Sequence, residues 1–230
     1  MNFLNNLKTR TKLLLSFSIV IVITIIVGMN GLFTANDLQA SFEDFYTNCF
    51  VPNMTLGKIQ VNQEKASTEM QRILYKVQAM HDMTIIDESV EALNELIEEN
   101  NLLLQEYEKS NLSPEEKQLL DKLKTVNSNY RSAREEVIEA VRNGDFDLAI
   151  EINDQKARTF REEVSDILFQ LKEVNNQTGV KVMANNKAKF NKSRNIAGLL
   201  LVIAFLAGLG LTVLLTRVIT RAIKVIVEHA

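Results

Sequence analysis

Four basic side chains in this sequence have the types and spacing to bind an anion. Lys65 and Arg72 lie seven residues apart, so a helix would place them on one face, and Arg158 and Arg161 form a second pair. Arginine suits carboxylates because its planar guanidinium group donates two parallel hydrogen bonds. If the two pairs converge, they are predicted to bind a small anion such as an amino acid or an organic acid.

A solvated, charged helix face explains the same residues without any ligand. Glu69 follows Lys65 by four residues and Glu162 follows Arg158 by four, a spacing at which opposite charges pair along a helix. The sequence alone leaves both interpretations open.

No pattern in the sequence points to catalysis or to a bound metal. His81 and His229 are far apart, and neither lies at ligand spacing from the other or from the single Cys49. We find no phosphate-binding loop and no combination of a nucleophile with a base. The sequence therefore predicts a protein that is not an enzyme and that uses no metal and no cofactor. A single cysteine also excludes an intrachain disulfide.

Two long uncharged stretches predict membrane-spanning helices. Residues 195–216 carry no charge over about 22 positions, enough for a helix to cross a hydrocarbon core of about 30 Å. The other uncharged run covers residues 13–36, and we expect its transmembrane helix at residues 13–34. Its apolar core is too long for a cleaved signal peptide, so we expect it to be retained as an anchor.

Charge predicts the topology of these two spans. Three basic residues precede the first span and three follow the second: Lys8, Arg10, Lys12, Arg217, Arg221 and Lys224. The positive-inside rule then places residues 1–12 and 217–230 in the cytoplasm and residues 35–194 outside, in a multi-pass membrane protein. The segment between the spans is acidic, which argues against binding of nucleic acid.

The segment between the spans is predicted to be all-α. Only 8 Gly and 2 Pro occur in the 230 residues, and apolar side chains recur with helical spacing. Four helices are expected, at about residues 34–80, 85–108, 114–142 and from 146 onward. Short connections make neighbouring helices antiparallel, so the prediction is an up-down-up-down four-helix bundle flanked by two transmembrane helices.

Local signals set the helix ends. Ser113 with Glu116 predicts a capping box at the start of the third helix, and Gly144 with Asp145 predicts its end and the cap of the fourth. Pro52 predicts a kink near residues 50–51 of the first helix. Thr84 is expected to cap the second helix.

Helix lengths predict a homodimer. At 1.5 Å per residue the first helix measures about 70 Å and the middle pair about 35–45 Å, so only two helices reach the membrane. Two helices cannot bury the aromatic side chains of residues 42–50, since each large apolar side chain gains roughly 1.5–3 kcal/mol from burial. We therefore expect a second subunit to complete a four-helix stalk that includes Phe42, Phe45 and Cys49.

The order of these features resembles the amino-terminal sensing half of bacterial methyl-accepting chemotaxis receptors with a four-helix-bundle ligand domain. The motifs that carry the resemblance are NLKTRTKLLLSFSIVIVI at the start, FYTNCFVPNMTLGKI around Pro52 and RNGDFDLAIEI at the third turn. TRVITRAIKVIVEHA, which includes residues 217–230, resembles the start of a HAMP linker, although Ala222 stands where that linker usually has Pro.

This resemblance implies a dimeric receptor in the bacterial plasma membrane for chemotaxis signal transduction. Binding of a small extracellular ligand would shift the helix that enters the second span and so signal to a cytoplasmic kinase and adaptor, through domains outside this sequence. Arg72 falls where aspartate-type receptors place ligand-binding arginines. Two alternatives stay open: the sensory half of a histidine kinase or diguanylate cyclase, and a structural membrane-anchored helical bundle.

Overall fold

The computed structural model describes residues 9–228, and these contain helices and turns but no β-strand. The helices are α1 (Thr9–Phe45), α2 (Val51–Gln71), α3 (Val77–Met80), α4 (Thr84–Glu108), α5 (Pro114–Arg142), α6 (Phe146–Ile152) and α7 (Arg158–Glu228). Three π-helical turns join some of them end to end, at Tyr46–Phe50, Arg72–Lys76 and Asn153–Ala157. The all-α prediction is confirmed. Predictions for residues 1–8 and 229–230, including Lys8 and His229, lie outside the described residues.

The chain divides into two compact units. One unit is Glu43–Val182, and the other combines the two terminal segments, Met1–Phe42 and Met183–Ala230. The first unit contains the bundle and the second contains the most apolar stretches.

Residues 43–182 form the predicted four-helix bundle. Its helices are residues 43–80, α4, α5 and residues 146–182, which we call the first to fourth bundle helices. Cross-helix hydrogen bonds show that neighbours are antiparallel. The first helix pairs with the second through Asn62–Asn100, and through Asn48 with Asn111 in the turn that follows the second helix. The other pairs are Arg131–Asn101 and Arg142–Asp87 between the second and third helices, and Gln60–Lys172 and Asn53–Asn176 between the first and fourth. We call the end with the turns at residues 81–83 and 143–145 the distal end.

The bundle core contains two large apolar clusters separated by polar side chains, and a small third cluster of Tyr130, Ala133 and Ala157. The cluster nearer the turn at residues 109–113 includes Leu56, Ile59, Leu104, Tyr107, Leu123, Ile167 and Leu171. The distal cluster includes Met70, Ile73, Leu74, Val77, Ile86, Leu93, Val137 and Val141. Between them, Asn62 donates to Asn100 at 3.0 Å and Gln63 donates to Asn127 at 3.1 Å, all four residues being buried. Paired amides satisfy each other here and favour one register of the helices.

The third bundle helix begins and ends at the predicted residues. Ser113 Oγ accepts from the Glu116 backbone N–H at 3.2 Å, and Glu116 Oε2 accepts from the Ser113 N–H at 2.7 Å, which is the predicted capping box. Gly144 adopts a φ of 78°, a left-handed conformation that glycine adopts without strain. Asp145 Oδ1 then accepts from the Leu148 N–H at 3.1 Å and caps the fourth bundle helix.

The first distal turn differs from the prediction. Thr84 does not cap α4; instead Asp82 Oδ1 accepts from the Thr84 backbone N–H at 3.0 Å and from its hydroxyl at 2.7 Å. These bonds hold the pKa of the exposed Asp82 carboxyl below its usual value. His81 closes the turn with a φ of 50°. The Asp82 carboxylate therefore satisfies the first N–H of α4, and the Ile86 N–H bonds to the Met83 carbonyl rather than to Thr84.

The irregularity expected at Pro52 takes the form of a π-helical turn. Pro52 lies at the start of α2, directly after the π-turn Tyr46–Phe50, and the Val51 N–H bonds to the Tyr46 carbonyl. Proline lacks an N–H and its ring clashes with the preceding turn, so the wider turn accommodates it without ending the helix.

The terminal segments contain two candidate membrane spans. By length and composition, two helices among the described residues could cross a membrane, one within Arg10–Met80 and one within Phe146–Arg217. In each helix, the most apolar segment is not buried within the chain, as expected for side chains that face lipid. Asn30 Nδ2 donates to Ser193 Oγ at 3.2 Å, which joins the two helices of this unit.

Candidate functional site

Two π-helical turns lie on neighbouring helices in the distal half of the bundle. Arg72–Lys76 belongs to the first bundle helix and Asn153–Ala157 to the fourth. A π-turn adds one residue to a helical turn, which redirects the side chains around it, and such turns are frequent at functional sites. Tyr75 from the first turn and Asp154 from the second line the same cavity.

This space, which we call the distal cavity, has a volume of about 170 Å³. The first, third and fourth bundle helices contribute its lining, which is mostly polar. The lining residues are Ser67, Met70, Gln71, Tyr75, Tyr130, Asn153, Asp154, Ala157, Arg158 and Arg161. The cavity therefore contains two of the four basic residues predicted to bind an anion.

The two arginines of the distal cavity have few competing partners. Arg161 is half-buried, and its Nη1 donates to Ser67 Oγ at 2.6 Å. It forms no ion pair with any carboxylate of residues 9–228. Arg158 Nε lies 3.8 Å from Glu162 Oε1, and both side chains are exposed. An exposed pair of this kind contributes about 0–1 kcal/mol, so Arg158 can exchange it for a ligand at little cost.

Tyr130 lines the cavity from α5 and is 2% exposed. Burial raises the pKa of its hydroxyl, and the positive charges of Arg134 and Arg161 only partly oppose this. The hydroxyl therefore stays protonated at neutral pH and can donate a hydrogen bond. Together with Arg158, Arg161 and Ser67 it forms a set of donors suited to a carboxylate, and Asp154 can accept from an ammonium group.

Lys65 and Arg72 do not line this cavity. Arg72 turns toward α4, where its Nη2 lies 2.6 Å from Glu88 Oε2, and its Nη1 lies 3.6 Å from Glu69 Oε2. Lys65 is exposed. The solvated-face interpretation describes these two residues, whereas Arg158 and Arg161 share a cavity. A ligand-binding role for any of the four stays a prediction.

The three residues expected in a dimer stalk differ in exposure. Cys49 is 3% exposed, so its side chain packs within its own chain. Phe45 is half-buried against Gly179, whereas Phe42 is 65% exposed. Of the three, Phe42 is the most open to a second subunit, and the interface itself stays a prediction.

Sequence reasoning missed Arg134, which is 6% exposed in α5. Its guanidinium carbon lies 4.7 Å from the centre of the Tyr130 ring. The signal was available, because Arg134 follows Tyr130 by four residues and precedes Val137 by three, which places it on the same helix face as these two apolar residues. A basic residue inside such a stripe predicts a buried charge.

Within the described part of the chain, no group of three or more His, Cys, Asp or Glu side chains is placed to hold a metal ion.

The sequence matches, over residues 6–190, the model of a family described as a four-helix-bundle sensory module for signal transduction. This match identifies a signalling module and not an enzyme.

A curated protein of Bacillus subtilis (strain 168) is also similar, the "Putative sensory transducer protein YvaQ". The two sequences are 24% identical over 220 residues, which cover 95% of this chain and 38% of the relative. The chain thus spans less than half the length of this relative. No solved structure matches significantly.

Proposed function

This chain belongs to the family of four-helix-bundle sensory modules for signal transduction, and we propose that it is the sensing half of a transmembrane chemotaxis receptor. Its bundle binds a small carboxylate, such as an amino acid or an organic acid, in the distal cavity. The observation that carries this proposal is the pair Arg158 and Arg161 in a polar cavity bordered by two π-helical turns.

The charge distribution supports a topology with the bundle outside the plasma membrane. Arg10 and Lys12 precede the first apolar stretch, and Arg217 follows the second without an acidic neighbour. Both termini are therefore cytoplasmic under the positive-inside rule. A ligand in the distal cavity then comes from outside the cell.

Helix α7 supplies the route from the bundle toward the cytoplasm. It is helical at every residue from Arg158, which lines the distal cavity, to Glu228. An uninterrupted helix passes on a displacement of an ångström or two, whereas a flexible joint absorbs it. The output, through a HAMP linker to a kinase and its adaptor, belongs to domains outside this sequence.

An exposed apolar stripe on the first bundle helix supports a homodimer. Phe50, Met54, Val61 and Tyr75 are between 46% and 55% exposed and follow one another at intervals of four, seven and fourteen residues. Phe50, Met54 and Val61 have the heptad spacing with which two helices pair in a coiled coil, and the exposed Thr68 takes the next heptad position before Tyr75. The stripe, more than Cys49, is the surface on which we propose that a second copy packs.

Calorimetric titration of the full chain in lipid nanodiscs with succinate, malate, aspartate and citrate tests the ligand site. At least one of these carboxylates is expected to bind. The Arg161→Met variant should bind it about tenfold or more weakly, because a charge-assisted hydrogen bond is lost. Arg72→Met is the matched control, because Arg72 pairs with Glu88 outside the cavity. Equal weakening by both variants, or binding unchanged in Arg161→Met, would contradict the site.

A further inference from the structure

A second and larger cavity lies between α4 and α5, with a volume of about 450 Å³. We call it the α4–α5 cavity. Leu93 and Ile97 line it from α4, and Arg134 and Ile138 line it from α5. The distal cavity uses the first and fourth bundle helices with α5, so the two spaces differ in their walls. This volume falls within the range of small-molecule sites, about 300–1,000 Å³.

Arg134 is the basic residue of this cavity that has no hydrogen bond or ion pair within residues 9–228. It is 6% exposed, and its Nε is buried without a hydrogen-bond partner among the described residues. It also lines a small space beside the buried amides of Asn100 and Asn127. Burial lowers the pKa of Arg134, and Arg131 adds to this effect, while Tyr130 and Glu135 oppose it. An arginine nevertheless stays protonated in proteins, so a positive charge is buried here.

The face of Tyr130 compensates only part of that charge. A desolvated cation gains stability over an aromatic ring, but the cost of burying an ion is larger. Glu135 acts on Arg134 electrostatically but does not form an ion pair with it within residues 9–228. An arginine that is buried without an ion pair is suited to bind an anion.

The other basic residues of the cavity already have partners. Arg131 donates to Asn101 Oδ1 at 2.8 Å, and Arg142 lies 2.8 Å from Asp87 Oδ1. Glu135 and Glu139 also line the cavity, so its rim carries both signs of charge and does not favour a highly charged anion. One guanidinium without an ion pair, in a lining that also includes Leu93, Ile97 and Ile138, fits a singly charged group with an apolar body.

We propose that the α4–α5 cavity binds a small monocarboxylate with an apolar body. The carboxylate lies on the Arg134 guanidinium, and the hydrocarbon packs on Leu93, Ile97 and Ile138. Binding at this site is separate from binding in the distal cavity and does not depend on the function proposed above.

The test is titration calorimetry of the full chain in lipid nanodiscs with hexanoate and 4-methylpentanoate. Both are expected to bind at millimolar or lower concentrations, whereas 4-methylpentanamide and sulfate, which lack the charge or the apolar body, do not. Arg134→Met should weaken carboxylate binding by at least about tenfold, because a charge-assisted contact is lost. Arg72→Met is the matched control and leaves this binding unchanged, because Arg72 lines neither cavity and pairs with Glu88.

Two further measurements separate binding from folding. Thermal unfolding without ligand should show Arg134→Met as stable as the unmodified chain or more stable, because methionine replaces an uncompensated buried charge. Ile138→Trp, at a half-buried lining position, should fill the cavity and abolish binding while Arg134 is kept. The proposal is overturned if neither carboxylate binds, if Arg134→Met binds them equally, or if the amide binds as well as the acid.

Discussion

Gly179 lies where the first and fourth bundle helices approach closely. A Cβ atom at Gly179 would lie 3.0 Å from Phe45 Cε2 and 3.8 Å from Cys49 Cβ. Glycine costs a helix about 1 kcal/mol relative to alanine, so its place here is explained by packing. Gly179 is thus a contact point between two helices of the bundle.

A larger side chain at this position should therefore destabilise the bundle. Gly179→Leu forces Phe45 away from its site, with an expected cost of about 1–3 kcal/mol. Gly57→Leu is the matched control, because nothing lies within 4 Å of a Cβ at this helical glycine. Chemical unfolding of both variants measures the difference. Equal stability of the two would contradict the close packing.

Cys49 gives a prediction about pH. Burial, with the negative charges of Asp44 and Glu116, raises the pKa of the Cys49 thiol. Its stabilising contribution is then complete below the pKa of the unfolded thiol and is lost as the pH rises through the higher folded value. Alkylation by iodoacetamide should be slow and should need a higher pH than a thiol at exposed Asn111. Asn111→Cys in a Cys49→Ser background supplies that comparison, and matching pH profiles would contradict it.

At the scale of elements, the bounds of α5 follow from the sequence because Ser113, Glu116 and Gly144 act locally. The π-turns could not be predicted in this way. A π-turn adds one residue while the apolar stripe continues on either side, so the sequence period barely changes across it. Arg158 and Arg161 could be selected by type, but their meeting with Tyr130 depends on tertiary packing. Tertiary packing also decides that Arg72 lies apart from these residues, because it pairs with Glu88 instead.

The π-turn Asn153–Ala157 can be removed by deleting one residue. Deletion of Gln155, an exposed residue in the turn, should restore a regular α-helix and leave the flanking helix in register. The distal cavity then loses its shape, and carboxylate binding should weaken by about tenfold or more. Calorimetry and circular dichroism measure binding and folding.

Deletion of Ser165 is the matched control for this change. Ser165 is an exposed residue in regular helix, and its loss rotates everything that follows by about 100° relative to the core. This variant should lose stability, whereas deletion of Gln155 should not. A Gln155 deletion that unfolds the bundle equally would show that the π-turn is structural.

At the scale of the whole molecule, the exposed stripe on the first bundle helix predicts where two copies meet. Cysteines at Met54 or Val61, in a Cys49→Ser background, should form intersubunit disulfides under mild oxidation. A cysteine at exposed Thr125 on α5 is the control and should not. Non-reducing electrophoresis of membranes measures the crosslinks. Crosslinking at Thr125 alone would place the interface on another face.

Tyr75 belongs both to this stripe and to the lining of the distal cavity. A ligand that moves Tyr75 therefore also acts on the proposed dimer contact. The stripe could not be recognised from the sequence alone, because apolar residues occur on several sides of the first bundle helix and only the fold shows which of them the bundle buries.

We propose that binding in the bundle reaches the cytoplasm through α7. The direct measurement fuses this chain to the signalling half of a chemoreceptor and follows kinase activity after addition of the carboxylate that binds best by calorimetry. The fusion should respond, and Arg161→Met should shift the response to higher concentration. A short run of glycines inserted between Val180 and Met183 should leave binding unchanged and abolish the response, because it breaks the helix. A normal kinase response in the glycine variant would contradict transmission through α7.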